Sequence, residues 1–287
     1  MQVMSIISTK GGVGKTTTAA NLAGFAADAG LRVLLLDADV QPTLSSYFEL
    51  TERATGGVYE LLAFNEQDTT RLISHTTIDG LDVVLSNDDQ GQLNTLLLHA
   101  PDGRLRLRHL LPVFRPHYDL LLVDTQGTRS VLLETAVLAA DVVLSPVTPE
   151  ILAARELHRG TLRLLEDIAS YRHLGIVLPP LNLLINRIPP VSANARTIQQ
   201  ALRQLFHEEN GISILETVIP AIEAYPRAAT RNLPVHRVEH RRPSGRVAPA
   251  ALETVRALAG ELFPHWQDRF ATVTGRAHRR ASHDERF

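Results

Sequence analysis

Residues Val3–Thr17 read VMSIISTKGGVGKTT: an apolar run, a loop with three glycines and two lysines, then two threonines. Val3–Ser8 has the continuous apolarity of a buried strand. The stretch 15–29 is rich in alanine and other small residues, which lets a helix lie close on a sheet. Gly30 stands where that helix is expected to stop. Arg32–Asp37 is again apolar without alternation, as expected of a strand covered by helices on both faces. Strand, helix, strand in this order predicts a parallel βαβ unit with a right-handed crossover.

Outward from that unit, buried strands are expected at Leu81–Leu85, Tyr118–Asp124, Val142–Val147, Leu181–Asn186 and Ser213–Ile219. Helices are expected over 149–171, from about Asn194 to His207, and from about Pro249 to Leu262. The pattern predicts an α/β fold with a doubly wound, mostly parallel sheet flanked by helices, in one domain over 1–265. Residues 266–287 read as a C-terminal tail, partly disordered, and 236–248 as a polar, basic loop.

Hydrophobic residues make up 44% of the 287, enough for a full core, and there is no cysteine. Disulfides, thiolate zinc sites and iron–sulfur clusters are thereby excluded. No apolar run approaches the length of a membrane span. Met1–Ser8 reads as a strand rather than a signal peptide, so a cytoplasmic protein is expected. Net charge is −2, yet Tyr225–Phe287 holds 12 Arg and no Lys against 6 acids. That asymmetry fits an anionic partner, and equally solvated helix faces with a frayed tail. Of 29 basic residues only Lys10 and Lys15 are lysines. Both lie in the glycine loop, where a compact ammonium on a flexible stem suits a phosphate.

A loop that wraps polyphosphate does so with backbone N–H groups. Gly11, Gly12 and Gly14, with Val13 between them, let the chain approach the oxygens. The helix beginning near Lys15 points its N-terminus at the same anion. Lys15 is placed to reach the β- and γ-phosphates, Thr16 to put its hydroxyl on Mg²⁺, and Thr17 to donate to the α-phosphate. The ordinary pattern needs a glycine where Thr9 stands, and a second lysine, Lys10, follows instead. Leu120–Thr125 reads LLLVDT, four apolar residues and then Asp124, which supplies the acid a magnesium nucleotide site needs; Asp124 could also cap the next helix. Asp37 and Asp39 close the second strand. They read as metal support and as an acid orienting water, or as turn residues before Gln41 and Pro42.

Together the segments KGGVGKTT (10–17), LLLDADVQPT (34–43) and LLVDT (121–125) resemble the deviant Walker A ATPases of the ParA/MinD group, most of all the ParA branch, over about residues 1–265. The resemblance implies an ATP- and Mg²⁺-dependent ATPase, weak without its partner. In it Lys10 crosses to the γ-phosphate of the other subunit of an ATP-dependent homodimer. Asp39 is the catalytic acid and Asp124 the metal-supporting acid. Asn186 and Pro220 contact adenine.

The same resemblance implies DNA segregation: a nucleoid-associated protein that binds DNA without sequence preference and is stimulated by a ParB-like partner. Arg227, Arg231, Arg237, Arg241, Arg242 and Arg246 are the candidate DNA contacts. This chain departs from the family in having Gln126 and Gly127 where prolines are usual, and Ala221-Ile222-Glu223 where a basic residue is common. The alternative is a MinD-like or other positioning ATPase acting on a membrane or a protein machine. The tail from Thr272 has few apolar residues for a membrane-binding helix. No cis-acting arginine is evident in the sequence, with Arg129 and Arg187 the exceptions to be placed. The histidines show no ligand spacing that compels a metal; His236 and His240 fall between Pro234 and Pro243, in an expected loop.

Overall fold

The computed structural model describes residues 1–150, 156–191, 193–206 and 211–274. Nine strands form one sheet: β1 (Gln2–Ile6), β2 (Val33–Ala38), β3 (Leu50–Glu52), β4 (Ile73–Thr76), β5 (Leu81–Val84), β6 (Leu120–Thr125), β7 (Val142–Val147), β8 (Leu181–Ile185) and β9 (Ile212–Ile214). Their order is β3-β4-β5-β2-β6-β1-β7-β8-β9, and β5 through β9 in that row pair in parallel. Along β2, Leu34, Leu36 and Ala38 enter one core while Val33 and Leu35 enter the other. Strand β6 divides the same way, with Leu121 and Val123 against Leu120 and Leu122. A strand with a core on each face has no solvent side, hence the unbroken apolar runs. Each such fully buried leucine contributes about 2 kcal/mol of burial.

The first helix, Lys15–Asp28, packs Leu22, Phe25 and its alanines into one of these cores, and Gly30 follows in the left-handed region at φ 80°. Most expected elements stand within two residues of their place, with the following differences. Strands β3 and β4 add an antiparallel edge that was not expected; both are short, and β3 is largely exposed. Strand β9 stops at Ile214 instead of Ile219, because the N–H groups of Glu216 and Thr217 donate to the Glu261 carboxylate at 2.6 and 3.0 Å. The expected 149–171 helix lies partly outside the described residues. Its described part contains a π-turn at His158–Leu162, where Gly160 meets the Thr9 side chain so closely that a Cβ would overlap it. His207, the expected end of the next helix, is also outside the described residues.

The first residues of the tail expected from 266 are folded. Gln267–Thr272 is a helix, Phe270 and Val273 are buried, and Phe270 lies 5.6 Å from the Phe25 ring. Residues 275–287 of that tail lie outside the described residues. The loop expected over 236–248 begins as a short helix, Val235–Val238, and His236 is fully buried in it. No described helix is long and apolar enough to cross a membrane.

Candidate active site

Strands β2, β6 and β1 lie side by side at the centre of the sheet, and the candidate phosphate and metal residues leave their C-terminal ends. In register, Ile6 pairs with Asp124 and Asp37 pairs with Asp124, so the glycine loop and both acidic strand ends meet at one edge. A crevice at the carboxyl ends of parallel strands, where the winding reverses, is where α/β sheets bind ligands.

In the loop itself, Gly12 and Gly14 take φ 73° and 96°, which glycine alone adopts freely. Gly14 precedes Lys15 at the helix start with no side-chain cap, so the first N–H groups face the loop. Val13 is buried and anchors the loop from below. Lys15 is 6% exposed, and burial lowers its pKa while Asp124 and Asp39 pull it back up. An ammonium held in a low-dielectric site against acids is poised for a polyanion.

Asp124 is fully buried, and burial pushes its carboxyl up to about 7 against the pull of the Thr16 hydroxyl and Lys15; Asp37 and Asp39 add to the rise. Its Oδ1 accepts from the Thr125 N–H at 3.1 Å, and its Oδ2 has no donor among the described residues. A hard cation beside Thr16 would supply what Oδ2 lacks, so these residues fit a magnesium ion. Gly127, on the loop that follows, rests on the glycine loop: a Cβ there would stand 2.7 Å from the Gly11 Cα and 2.9 Å from its N. The absence of the usual proline is thus matched by a close contact.

Asp37 is bonded within the turn that follows its strand. Its Oδ1 accepts from the Asp39 N–H at 3.2 Å, and its Oδ2 accepts from both the N–H and the hydroxyl of Ser45 at 2.7 Å each. The carboxylate, pushed up to about 6 by burial, is thus bonded to its own turn. Asp39 stands half-buried at the strand end, its Oδ1 accepting from the Gln41 N–H at 3.0 Å.

Lys10 points away from its own loop. Its Nζ is 2.9 Å from Glu156 and 3.4 Å from Glu150, and the hydrogen bond to Glu156 leads in raising its pKa. Arg129 is likewise engaged elsewhere, 2.7 Å from Asp167 and 3.4 Å from Glu134. Arg187, at φ 59°, donates to the Gly12 carbonyl at 2.7 Å. Its neighbour Asn186 donates from Nδ2 to the Val13 carbonyl at 2.7 Å and fills the space a Cβ on Gly14 would need. These two contacts to the loop carbonyls were not foreseen. A strand-end Asn followed by Arg beside the loop is the only trace of them in the sequence.

Asn186, Thr17, Ile219, Pro220 and Tyr225 line a cavity of about 540 Å³ that opens beside Gly14. Its floor is set where Ile188 and Pro220 bridge, with the Ile188 N–H donating to the Ile219 carbonyl at 2.9 Å. The size and the apolar walls suit a nucleobase and sugar.

Comparison with known proteins agrees with this geometry. Residues 1–173 match the family described as AAA domain. The sporulation initiation inhibitor protein Soj of Bacillus subtilis is 27% identical over 242 residues, covering 82% of this chain and 90% of that one. The chain belongs to the ParA family of phosphate-loop ATPases. A putative replication protein A of Sinorhizobium fredii is 30% identical over 223 residues; the match covers 72% of this chain but only 55% of that longer protein. Among solved structures, a putative plasmid partition protein of Borrelia burgdorferi bound to AMPPNP superposes with a TM-score of 0.63 at 26% identity, covering 81% of this chain and 90% of that one.

The six candidate DNA-contacting arginines divide in two within this ParA-family chain. Arg227, Arg231, Arg241 and Arg242 are exposed. Arg237 instead holds Asp28 at 2.5 and 2.7 Å with a side chain only 15% exposed, and Arg246 holds Glu239 at 2.5 and 2.8 Å. A guanidinium committed to a carboxylate by two hydrogen bonds is a poor phosphate ligand, so these two correct the expectation drawn from charge alone.

Proposed function

We propose that this protein hydrolyses ATP with Mg²⁺ and uses the cycle to segregate DNA, as a dimer with ATP and a monomer without it. One observation carries the reading: Lys15, Asp124 and Asp39 converge on the glycine loop at one sheet edge, while Lys10 of the same loop points outward to exposed carboxylates. The first three are what a single nucleotide site needs. The outward lysine has no role inside that site and suits the phosphates of a second subunit.

In this reading the N–H groups of residues 11–17 and Lys15 hold the phosphates, Thr16 and Asp124 hold the metal, and Asp39 orients the attacking water. Pro220 and the Asn186 side of the cavity hold the base. Magnesium would neutralise charge on the transferring phosphoryl oxygens when bound. Exposed arginines at 227, 231, 241 and 242 supply a sequence-independent DNA contact. A ParB-like protein stimulates hydrolysis, and the protein acts on the nucleoid in the cytoplasm. Soj and the Borrelia partition protein support this reading by their names.

The test is duplex-DNA binding with ATP, with ADP and without nucleotide. Binding that requires ATP and weakens steeply between about 50 and 200 mM salt supports the reading. ATP turnover without DNA binding in any state would leave the ATPase and move its cargo to a membrane or a protein machine.

A further inference from the structure

Asp39 sits at the start of an exposed turn: Gln41, Pro42 and Thr43 are all open to solvent. A carboxylate on such a turn wanders unless its backbone is held. Here it is held from a neighbouring strand. The Ser86 hydroxyl, just past the end of β5, donates to the Asp39 carbonyl at 2.5 Å. The Ser86 N–H donates to the Ser45 hydroxyl at 2.8 Å, and that hydroxyl donates to Asp37 Oδ2 at 2.7 Å. Asp37 Oδ1 in turn accepts the Asp39 N–H at 3.2 Å. The bonds form a closed ring, Asp39–Asp37–Ser45–Ser86–Asp39. Asp37 and Ser86 are buried and the ring is anchored on two adjacent parallel strands.

We infer that Ser45 and Ser86 are positioning residues for hydrolysis, fixing the Asp39 backbone so that its carboxylate meets the attacking water. Both serines spend their hydroxyls on this ring rather than on the glycine loop, so neither contributes to holding the nucleotide. The inference rests on the reading of Asp39 as the water-orienting acid. Misplacing a catalytic group by about 1 Å costs on the order of 100-fold in rate. A loosened turn that keeps the right position part of the time costs less, about tenfold.

The experiment measures kcat and KM for ATP in Ser86→Ala, Ser45→Ala, Ser86→Thr and Asp39→Asn, with affinity for a non-hydrolysable ATP analogue measured alongside. Single-turnover rates are compared for Ser86→Ala in the native and Asp39→Asn backgrounds. The expected result is a kcat lowered about tenfold in both alanine variants, with KM and analogue affinity within about twofold. Ser86→Thr, which keeps the hydroxyl, restores the rate, and Ser86→Ala has no further effect once Asp39 is Asn. An unchanged kcat in both alanine variants, with turnover abolished in Asp39→Asn, would overturn the inference and leave Asp39 in its role. A loss that persists in the Asp39→Asn background, or that comes with weakened analogue binding, would also overturn it, because the serines would then support the fold at large. Full turnover by Asp39→Asn would remove the assignment of Asp39 and the inference together.

Discussion

Nζ of Lys10 lies 2.9 Å from the Glu156 carboxylate, so the lysine proposed to reach a second subunit's phosphates is held within its own subunit here. Both partners are substantially exposed, with side chains 33% and 51% accessible. An exposed pair of this kind is worth about 0.2–1 kcal/mol. Glu156→Gln releases one such pair in each subunit and should therefore strengthen ATP-dependent dimerisation by no more than about 30-fold, about fivefold per subunit, and the gain should vanish in high salt. Analytical ultracentrifugation with a non-hydrolysable ATP analogue reads this directly. A weakened dimer would mean that Glu156 serves the assembled state instead.

The contact of Gly127 with Gly11 makes the loop after β6 a neighbour of the phosphate loop. A Cβ at 2.7 and 2.9 Å from backbone atoms cannot be relieved by a side-chain rotation. Gly127→Ala should lower ATP affinity about tenfold or more, about 1.4 kcal/mol, while the nucleotide-free protein melts within a few degrees of wild type. Wild-type affinity in calorimetry would show that the two loops move apart on binding.

Acid should weaken the fold at a place far from the nucleotide. Asp28 accepts from His236 Nε2 and from Arg237, which together hold its pKa below the ordinary value against the opposing push of burial. Burial also lowers the pKa of His236. Both folded-state values lie below the unfolded ones, so the unfolded chain binds more protons as pH falls. The stabilisation is fully present above the unfolded histidine value of about 6.5 and is lost as pH falls below it. His236→Gln should lower the melting temperature at pH 7.5 and flatten its decline between pH 6.5 and 5. A wild-type melting temperature that rises over that interval would contradict the assignment.

The arginines should separate by phenotype. Arg241→Ala with Arg242→Ala should weaken DNA binding and make the salt slope shallower by about 0.9 for each phosphate no longer neutralised, with stability unchanged. Arg237→Ala should instead cost about 3 kcal/mol of stability, because it leaves Asp28 buried with only a neutral histidine. Chemical denaturation and salt-dependent DNA titration of both variants distinguish the two classes.

The central strands, the first helix and the glycine loop were legible because a sheet with two cores leaves continuous apolar runs and a loop at φ > 0 demands glycine. The antiparallel edge was not: β3 and β4 are three and four residues long, and neither carries a run of its own. His236 was hidden because prolines at 234 and 243 signal a loop, whereas its burial depends on Asp28 and Phe25, some two hundred residues earlier. The arginine pairs were hidden for the same reason. Sequence counts charges but does not say which carboxylate each one meets. Asp39 was readable at its strand end, while the serines that hold it come from two separate turns.

The most direct measurement is the mass of the protein in solution with a non-hydrolysable ATP analogue and Mg²⁺, for wild type and Lys10→Ala, by light scattering. Wild type is expected to be a dimer and Lys10→Ala a nucleotide-bound monomer. A wild-type protein that binds the analogue and stays monomeric, or a Lys10→Ala variant that dimerises as well as wild type, would contradict that expectation.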